Sequence, residues 1–218
     1  MVKNLNLTED LENYILENSQ KLHPVQHEII EENKKLGDLK KLQISVSQAH
    51  FLQLIIKVTK VKKILEIGTF TGFSTISMAL VLPKDGKIIT LDKNEKTSSI
   101  ASAFFRKAKL NDIIIQKIEP ALNFLKKIKV NDNLFDLIFI DADKENYKNY
   151  YNQSLDLIEK NGLLIFDNVL WHGEVADEKN NNKFTVNIRE FNKFVFEDKR
   201  VEQIIIPLGD GMTVCRVL

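Results

Sequence analysis

From Val61 onward the chain alternates short apolar runs with stretches of helical period, and this alternation constrains the fold more than any other feature. Five runs, Ile64–Ile67, Ile88–Leu91, Ile113–Ile115, Leu137–Ile140 and Leu163–Phe166, are nearly continuous in apolar residues. A strand covered on both faces reads this way, whereas a half-exposed strand alternates polar and apolar positions. The helical patterns between them span about Ser74–Leu82, Glu95–Lys109, Ala121–Lys129 and Lys144–Glu159, the last stopped by Asn161-Gly162. Repeated strand–helix–strand units joined by right-handed crossovers predict an α/β fold with a mostly parallel sheet.

The C-terminal part breaks the pattern. A helix through Ile188, Phe191, Phe194 and Val195 leads to Val201–Ile206, then Gly209-Asp210-Gly211, then Met212–Val217. Two runs separated by a glycine turn predict a closing antiparallel pair. Nicotinamide-dinucleotide folds are usually completed by further parallel units instead. Ahead of Val61 stand three helices: one after Thr8 with Leu11, Ile15 and Leu16 at helical spacing, one starting at Pro24 and running through Ile29, Ile30 and Asn33, and one over roughly Gln48 to Lys60. Residues 1–60 are thus a helical preface to a core of residues 61–218, and 218 residues suit a single domain.

Composition excludes several partners. The 31 basic and 30 acidic residues are interspersed and leave a net charge of +1, so no electrostatic footprint for nucleic acid or anionic lipid stands out. No apolar run approaches the length of a membrane span, and Met1–Leu7 lacks the apolar core and cleavage site of a secretory signal, so a cytoplasmic protein is expected. The one cysteine, Cys215, sits among apolar neighbours and reads as a packing residue in a reducing compartment.

Chemistry concentrates at predicted strand ends. The run Leu65-Glu66-Ile67-Gly68-Thr69-Phe70-Thr71-Gly72 lies where the first strand turns into a helix, and its glycines let backbone pass close beneath a ligand. Phe70 and Phe73 occupy positions where a dinucleotide-binding turn needs glycine. Without a pyrophosphate to approach, the turn carries Glu66, whose carboxylate suits the cationic amino group of a cofactor such as S-adenosylmethionine. Asp92, after the second strand, suits both hydroxyls of a ribose.

Asp141 ends the fourth strand and Asp167-Asn168 ends the fifth, so three oxygens should meet at one edge. Two carboxylates beside an amide oxygen form a hard partial shell suited to magnesium, with manganese or calcium as alternatives. Such a cation lowers the pKa of a phenolic hydroxyl from about 10 and generates a nucleophile locally. Lys144 would take the phenolic proton if burial and a positive neighbour favour its neutral form.

Taken together, these motifs resemble the cation-dependent O-methyltransferase family that includes the caffeoyl-coenzyme A and catechol O-methyltransferases. The matching runs are the Leu65–Gly72 turn, Phe139-Ile140-Asp141-Ala142-Asp143-Lys144-Glu145-Asn146-Tyr147, Asp167-Asn168-Val169-Leu170-Trp171 and Pro207-Leu208-Gly209-Asp210-Gly211. The resemblance implies a Rossmann-like methyltransferase fold with seven strands and one reversed C-terminal strand, and a homodimer. It implies metal ligation by Asp141, Asp167 and Asn168 and catalytic roles for Lys144 and Asp141. Cofactor contacts are implied for Ile44, Glu66, Gly68, Thr69, Ser74, Asp92, Ala121 and Asp141, and a phenolic or catechol-like small molecule as acceptor.

Departures from the family pattern are Glu119 for a glycine before Pro-Ala-Leu, and Ala49-His50 for Gly-Gln. His172 stands where plant members carry an asparagine that touches substrate. Asn168–Lys183 reads as a polar loop of a length that suits a mobile lid. Two other functions fit the same fold: a metal-independent methyltransferase of another acceptor, and a nucleotide-binding module, catalytic as a dehydrogenase or not catalytic at all.

Overall fold

The computed structural model describes residues 5–128 and 134–218. Its strands are β1 (Lys63–Ile67), β2 (Lys87–Asp92), β3 (Ile114–Ile118), β4 (Phe135–Ile140), β5 (Ile158–Asp167), β6 (Val201–Ile206) and β7 (Met212–Val217). They form one sheet in the order β3-β2-β1-β4-β5-β7-β6. The first five strands pair in parallel, and β7 lies antiparallel to both β5 and β6. The expected closing pair is present, with β7 as the reversed strand inserted between its neighbours.

Chain order reverses between β1 and β4, which are adjacent in the sheet. At such a point the crossovers leave in opposite directions, and the carboxyl ends of the two strands open a crevice. Pleat alternation sends neighbouring residues to opposite faces. Leu137 and Phe139 of β4 join one apolar cluster with Ile64, Ile88 and Ile165, while Ile138 and Ile140 join another with Leu65, Ile67 and Phe166. The first cluster is covered by α2 (Pro24–Lys34), α3 (Val46–Thr59), α4 (Phe73–Ala79) and α5 (Glu95–Lys107). The second is covered by α6 (Ala121–Lys127), α7 (Tyr147–Leu155) and α8 (Lys183–Glu197), with Phe166 and Phe191 ring centroids 4.7 Å apart. Cys215 is fully buried on that side. No helix of the described residues is long and apolar enough to cross a membrane.

Several boundaries differ from the sequence expectation. The helix expected over Lys144–Glu159 is a 3-10 turn at Lys144–Asn146 followed by α7, which ends at Leu155. Leu157 and Ile158 are pulled into the apolar core, and β5 starts at Ile158. Asn161-Gly162 does not stop a helix but lies inside β5, where Phe135 pairs with Ile158 and Leu137 with Leu163. Asn161 has a φ of 65°, so the extra residues are absorbed as a left-handed bulge. The helices expected to reach Leu82 and Lys109 end at Ala79 and Lys107, β3 runs on to Ile118, and Lys129 lies outside the described residues.

A further 3-10 helix at Gly37–Leu42 was not expected. The third N-terminal helix begins at Val46 rather than Gln48, because Ser45 caps it and forms a reciprocal capping box with Gln48. The first helix, α1 (Glu9–Glu17), starts after Thr8 as read, with Thr8 as its cap, yet none of its residues is buried.

Candidate active site

A cavity of about 880 Å³ opens at the switch point between β1 and β4. Its walls include Ile44, Gly68, Thr69, Ser74, Asp92 and Ala121 on one side and Asp141, Lys144, Asp167, Asn168 and His172 on the other. Every candidate residue of the sequence reading borders this space except Glu66.

The turn after β1 is built around Gly68. Its φ is 106°, and a Cβ there would collide with the Asp141 carbonyl oxygen, so only glycine lets β1 and β4 end side by side. The Gly68 N–H donates to Leu91 O at 2.9 Å, and Asp141 N–H donates to Ile67 O at 2.9 Å. Asp92 holds the turn from β2, its Oδ2 accepting from the N–H groups of Thr69 at 3.2 Å and Phe70 at 2.8 Å.

Glu66 lies beneath this turn rather than on the cavity wall. It is fully buried and accepts hydrogen bonds from the hydroxyls of Ser74 at 2.5 Å, Thr90 at 2.5 Å and Thr75. Burial pushes its carboxyl up to about 7, against the opposing effect of the three hydroxyls. The pleat of β1 decides this, because Leu65 and Ile67 belong to the opposite face. Of its partners, Ser74 reaches the cavity.

Asp141, Asp167 and Asn168 meet as expected, and neither aspartate caps a helix. Asp167 is 2% exposed, and its Oδ1 accepts from Gln48 Nε2 at 2.6 Å and from Asn168 N–H at 2.7 Å. Among the described residues no donor reaches Oδ2. Burial, and then the nearby Asp141 charge, push the Asp167 carboxyl well above the usual carboxylate range. The Lys144 ammonium donates to Asp141 Oδ1 at 3.0 Å, Asn168 Oδ1 at 2.7 Å and Tyr147 Oη at 2.7 Å. The positive neighbour anticipated for Lys144 is not among its partners, which are a carboxylate, an amide oxygen and a phenol. Tyr147 donates in turn to Asp167 O at 2.8 Å, tying the lysine to the end of β5.

This donor set fits a hard cation. Two of its three oxygens already converge on one positive charge, the Lys144 ammonium, and the buried Asp167 carboxylate keeps one oxygen free of protein donors. Among the described residues no three His, Cys, Asp or Glu side chains cluster in a way that could hold a metal ion.

The segment after Asn168 is not a free loop. Asn168, Trp171 and His172 have φ values of 56°, 45° and 57°, and Gly173 follows at 80°. His172 N–H donates to Asp210 Oδ1 at 2.6 Å, Arg189 bonds the carbonyls of Val175, Asp177 and Asn180, and Thr185 bonds Glu174. These ties fix the segment at several points in this conformation. The His172 side chain itself is 72% exposed at the rim, its ring tilted by 38° against that of Trp171 with centroids 5.5 Å apart.

Gln48 and Tyr147 escaped the sequence reading as site residues, although Tyr147 stands inside a motif that was quoted. The departures at Ala49, His50 and Glu119 do not border the cavity, and Glu119 instead pairs with Lys127 at 2.8 Å.

Residues 16–218 match the family model described as O-methyltransferase. A caffeoyl-CoA O-methyltransferase of Populus kitakamiensis is 38% identical over 226 residues, covering 97% of this chain and 94% of the relative. Among solved structures, an O-methyltransferase from Bacillus cereus in complex with SAH superposes with a TM-score of 0.88 at 31% identity, covering 96% of this chain and 97% of the other. The SAH-bound methyltransferase PaMTH1 of Podospora anserina gives a TM-score of 0.89 at 26% identity over the full length of both chains.

Proposed function

The chain belongs to the O-methyltransferase family, and from that membership we propose that it moves a methyl group from S-adenosylmethionine to a hydroxyl of a small catechol-like or phenolic acceptor, assisted by a divalent cation. The observation that carries this is the shared cavity: the turn held by Asp92 and the oxygens of Asp141, Asp167 and Asn168 open into one space. SAH, found in two structural relatives, is what S-adenosylmethionine becomes once its methyl has left.

Ile44, Gly68, Thr69, Ser74, Asp92, Ala121 and Asp141 would hold the donor. Glu66 would act at one remove by fixing the Ser74 hydroxyl. Asp141, Asp167 and Asn168 would hold the cation, magnesium first, with manganese and calcium compatible with the same oxygens. When bound, that ion supplies Lewis-acid polarisation of the acceptor oxygen. Lys144, within hydrogen-bond distance of Asp141 and Asn168, would take the hydroxyl proton in its neutral form, which a cation held by those same residues would favour. Methyl transfer needs no protein nucleophile, because the sulfonium carries its own leaving group and the chain has only to align the reactants. Trp171 and His172 at the rim would meet the acceptor. A cytoplasmic homodimer of one domain, with residues 1–60 prefacing 61–218, completes the proposal.

The test is product analysis. Purified protein with S-adenosylmethionine and magnesium, given catechols and matched monophenols, should yield singly methylated catechols. Equal turnover of monophenols would contradict chelation of vicinal oxygens, and no product from any hydroxyl acceptor would contradict the whole proposal.

A further inference from the structure

Gln48 reaches across the fold to the cation corner from a helix 119 residues earlier in sequence than Asp167. The residue is 3% exposed, and each end of its amide makes one hydrogen bond. Oε1 accepts the Ser45 N–H at 2.9 Å as part of the capping box of α3, which leaves Nε2 as the atom that faces Asp167 Oδ1 at 2.6 Å. The orientation of the amide is therefore set by the helix start, not by choice of label. From the other side Gly209, in the turn between β6 and β7, lies flat against the same amide, and a Cβ there would collide with it.

Two donors, Gln48 Nε2 and Asn168 N–H, hold Oδ1 of Asp167 and fix the torsion of the carboxylate. Carboxylates that ligate cations are commonly held by such hydrogen bonds, and loss of the partner weakens metal binding. An amide suits this task because it donates without adding a third negative charge to a buried corner. The same side chain joins that corner to Ile44 and Ser45, which line the cofactor side of the cavity. We propose that Gln48 is a positioning residue, orienting Asp167 for a divalent cation by tying its carboxylate to the start of α3; the role rests on the cation proposed above.

The experiment measures manganese binding to the cofactor-free protein, from the electron paramagnetic resonance signal of the free ion. Gln48→Met, which keeps bulk and removes the donor, should weaken manganese binding by about 10- to 100-fold. The cation concentration for half-maximal activity should rise by the same factor, with kcat at saturating cation nearly retained. Gln48→Asn, an amide too short to reach Asp167, should show the same loss and serves if the methionine variant does not fold. Gln53→Met is the control: it removes another buried glutamine donor of α3, bonded to Ser77 O at 3.0 Å, and should lower the melting temperature while leaving manganese binding unchanged. Wild-type affinity in Gln48→Met, or an equal loss in Gln53→Met, overturns the positioning role. Absence of manganese binding by the unaltered protein overturns the cation proposal itself, and this role with it.

Discussion

Replacing Glu66 by glutamine tests the electrostatics of the cofactor turn through stability alone. Glu66 is fully buried, and its carboxyl rises from an ordinary value of 4.5 to about 7 in the folded chain, with burial the main cause. A folded-state value above the unfolded one means that, between pH 4.5 and about 7, the folded protein keeps a proton the unfolded chain has lost. Stability is therefore fully present below the lower value and falls as pH rises through that window. A rise of about 2.5 in pKa corresponds to about 3 kcal/mol. Glutamine has the same shape and no proton to lose; its oxygen replaces one carboxylate oxygen as acceptor, and its NH2 donates to the hydroxyl side facing the other, as a protonated carboxyl would. Urea unfolding followed by circular dichroism, at pH 5 and pH 8, gives the difference in unfolding free energy between variant and wild type. That difference should shift in favour of Glu66→Gln by about 2 kcal/mol or more on going to pH 8. A difference that is the same at both pH values would refute the assignment of Glu66 as a buried, charge-penalised carboxyl.

Other outcomes follow from the same geometry. Gly68→Ala forces a side chain onto a φ of 106° and against the Asp141 carbonyl, and should lower unfolding free energy by about 2 kcal/mol or more in urea; wild-type stability would contradict the close approach of β1 and β4. Lys144→Met should reduce kcat by about 10²- to 10⁴-fold while leaving calorimetric binding of S-adenosylmethionine little changed; retained kcat would exclude it as the base. The Cys215 thiol is buried and pushed up to about 12 by burial, so a disulfide reagent such as dithionitrobenzoate should label native protein only at the rate of unfolding. Immediate labelling would contradict the packing of β7.

The sheet was legible because strands covered on both faces must be continuously apolar, which marks Leu137–Ile140 and Leu163–Phe166 directly. The start of β5 was not, because Asn-Gly serves equally as the left-handed cap of a helix and as a bulge, and only the pull of Leu157 and Ile158 into the core decides between them. The 3-10 helix at Gly37–Leu42 gave no periodic signal, as Leu39 and Leu42 stay exposed. At the site, Asp141, Asp167 and Asn168 were legible from position alone, since residues that end parallel strands share one edge. The burial of Glu66 beneath the turn was not legible, because being at a strand end does not say which face the pleat presents. Gln48 carried no charge and no motif, and its link to Asp167 exists only once α3 is folded over the end of β5.

The central claim, cation-assisted methyl transfer within this one cavity, is tested most directly with protein freed of metal and given S-adenosylmethionine labelled in its methyl group together with a catechol. Label should appear in the extracted product when magnesium is added, and fall to background in excess chelator and in an Asp167→Ala variant that retains its fold. Undiminished transfer in excess chelator would contradict the claim.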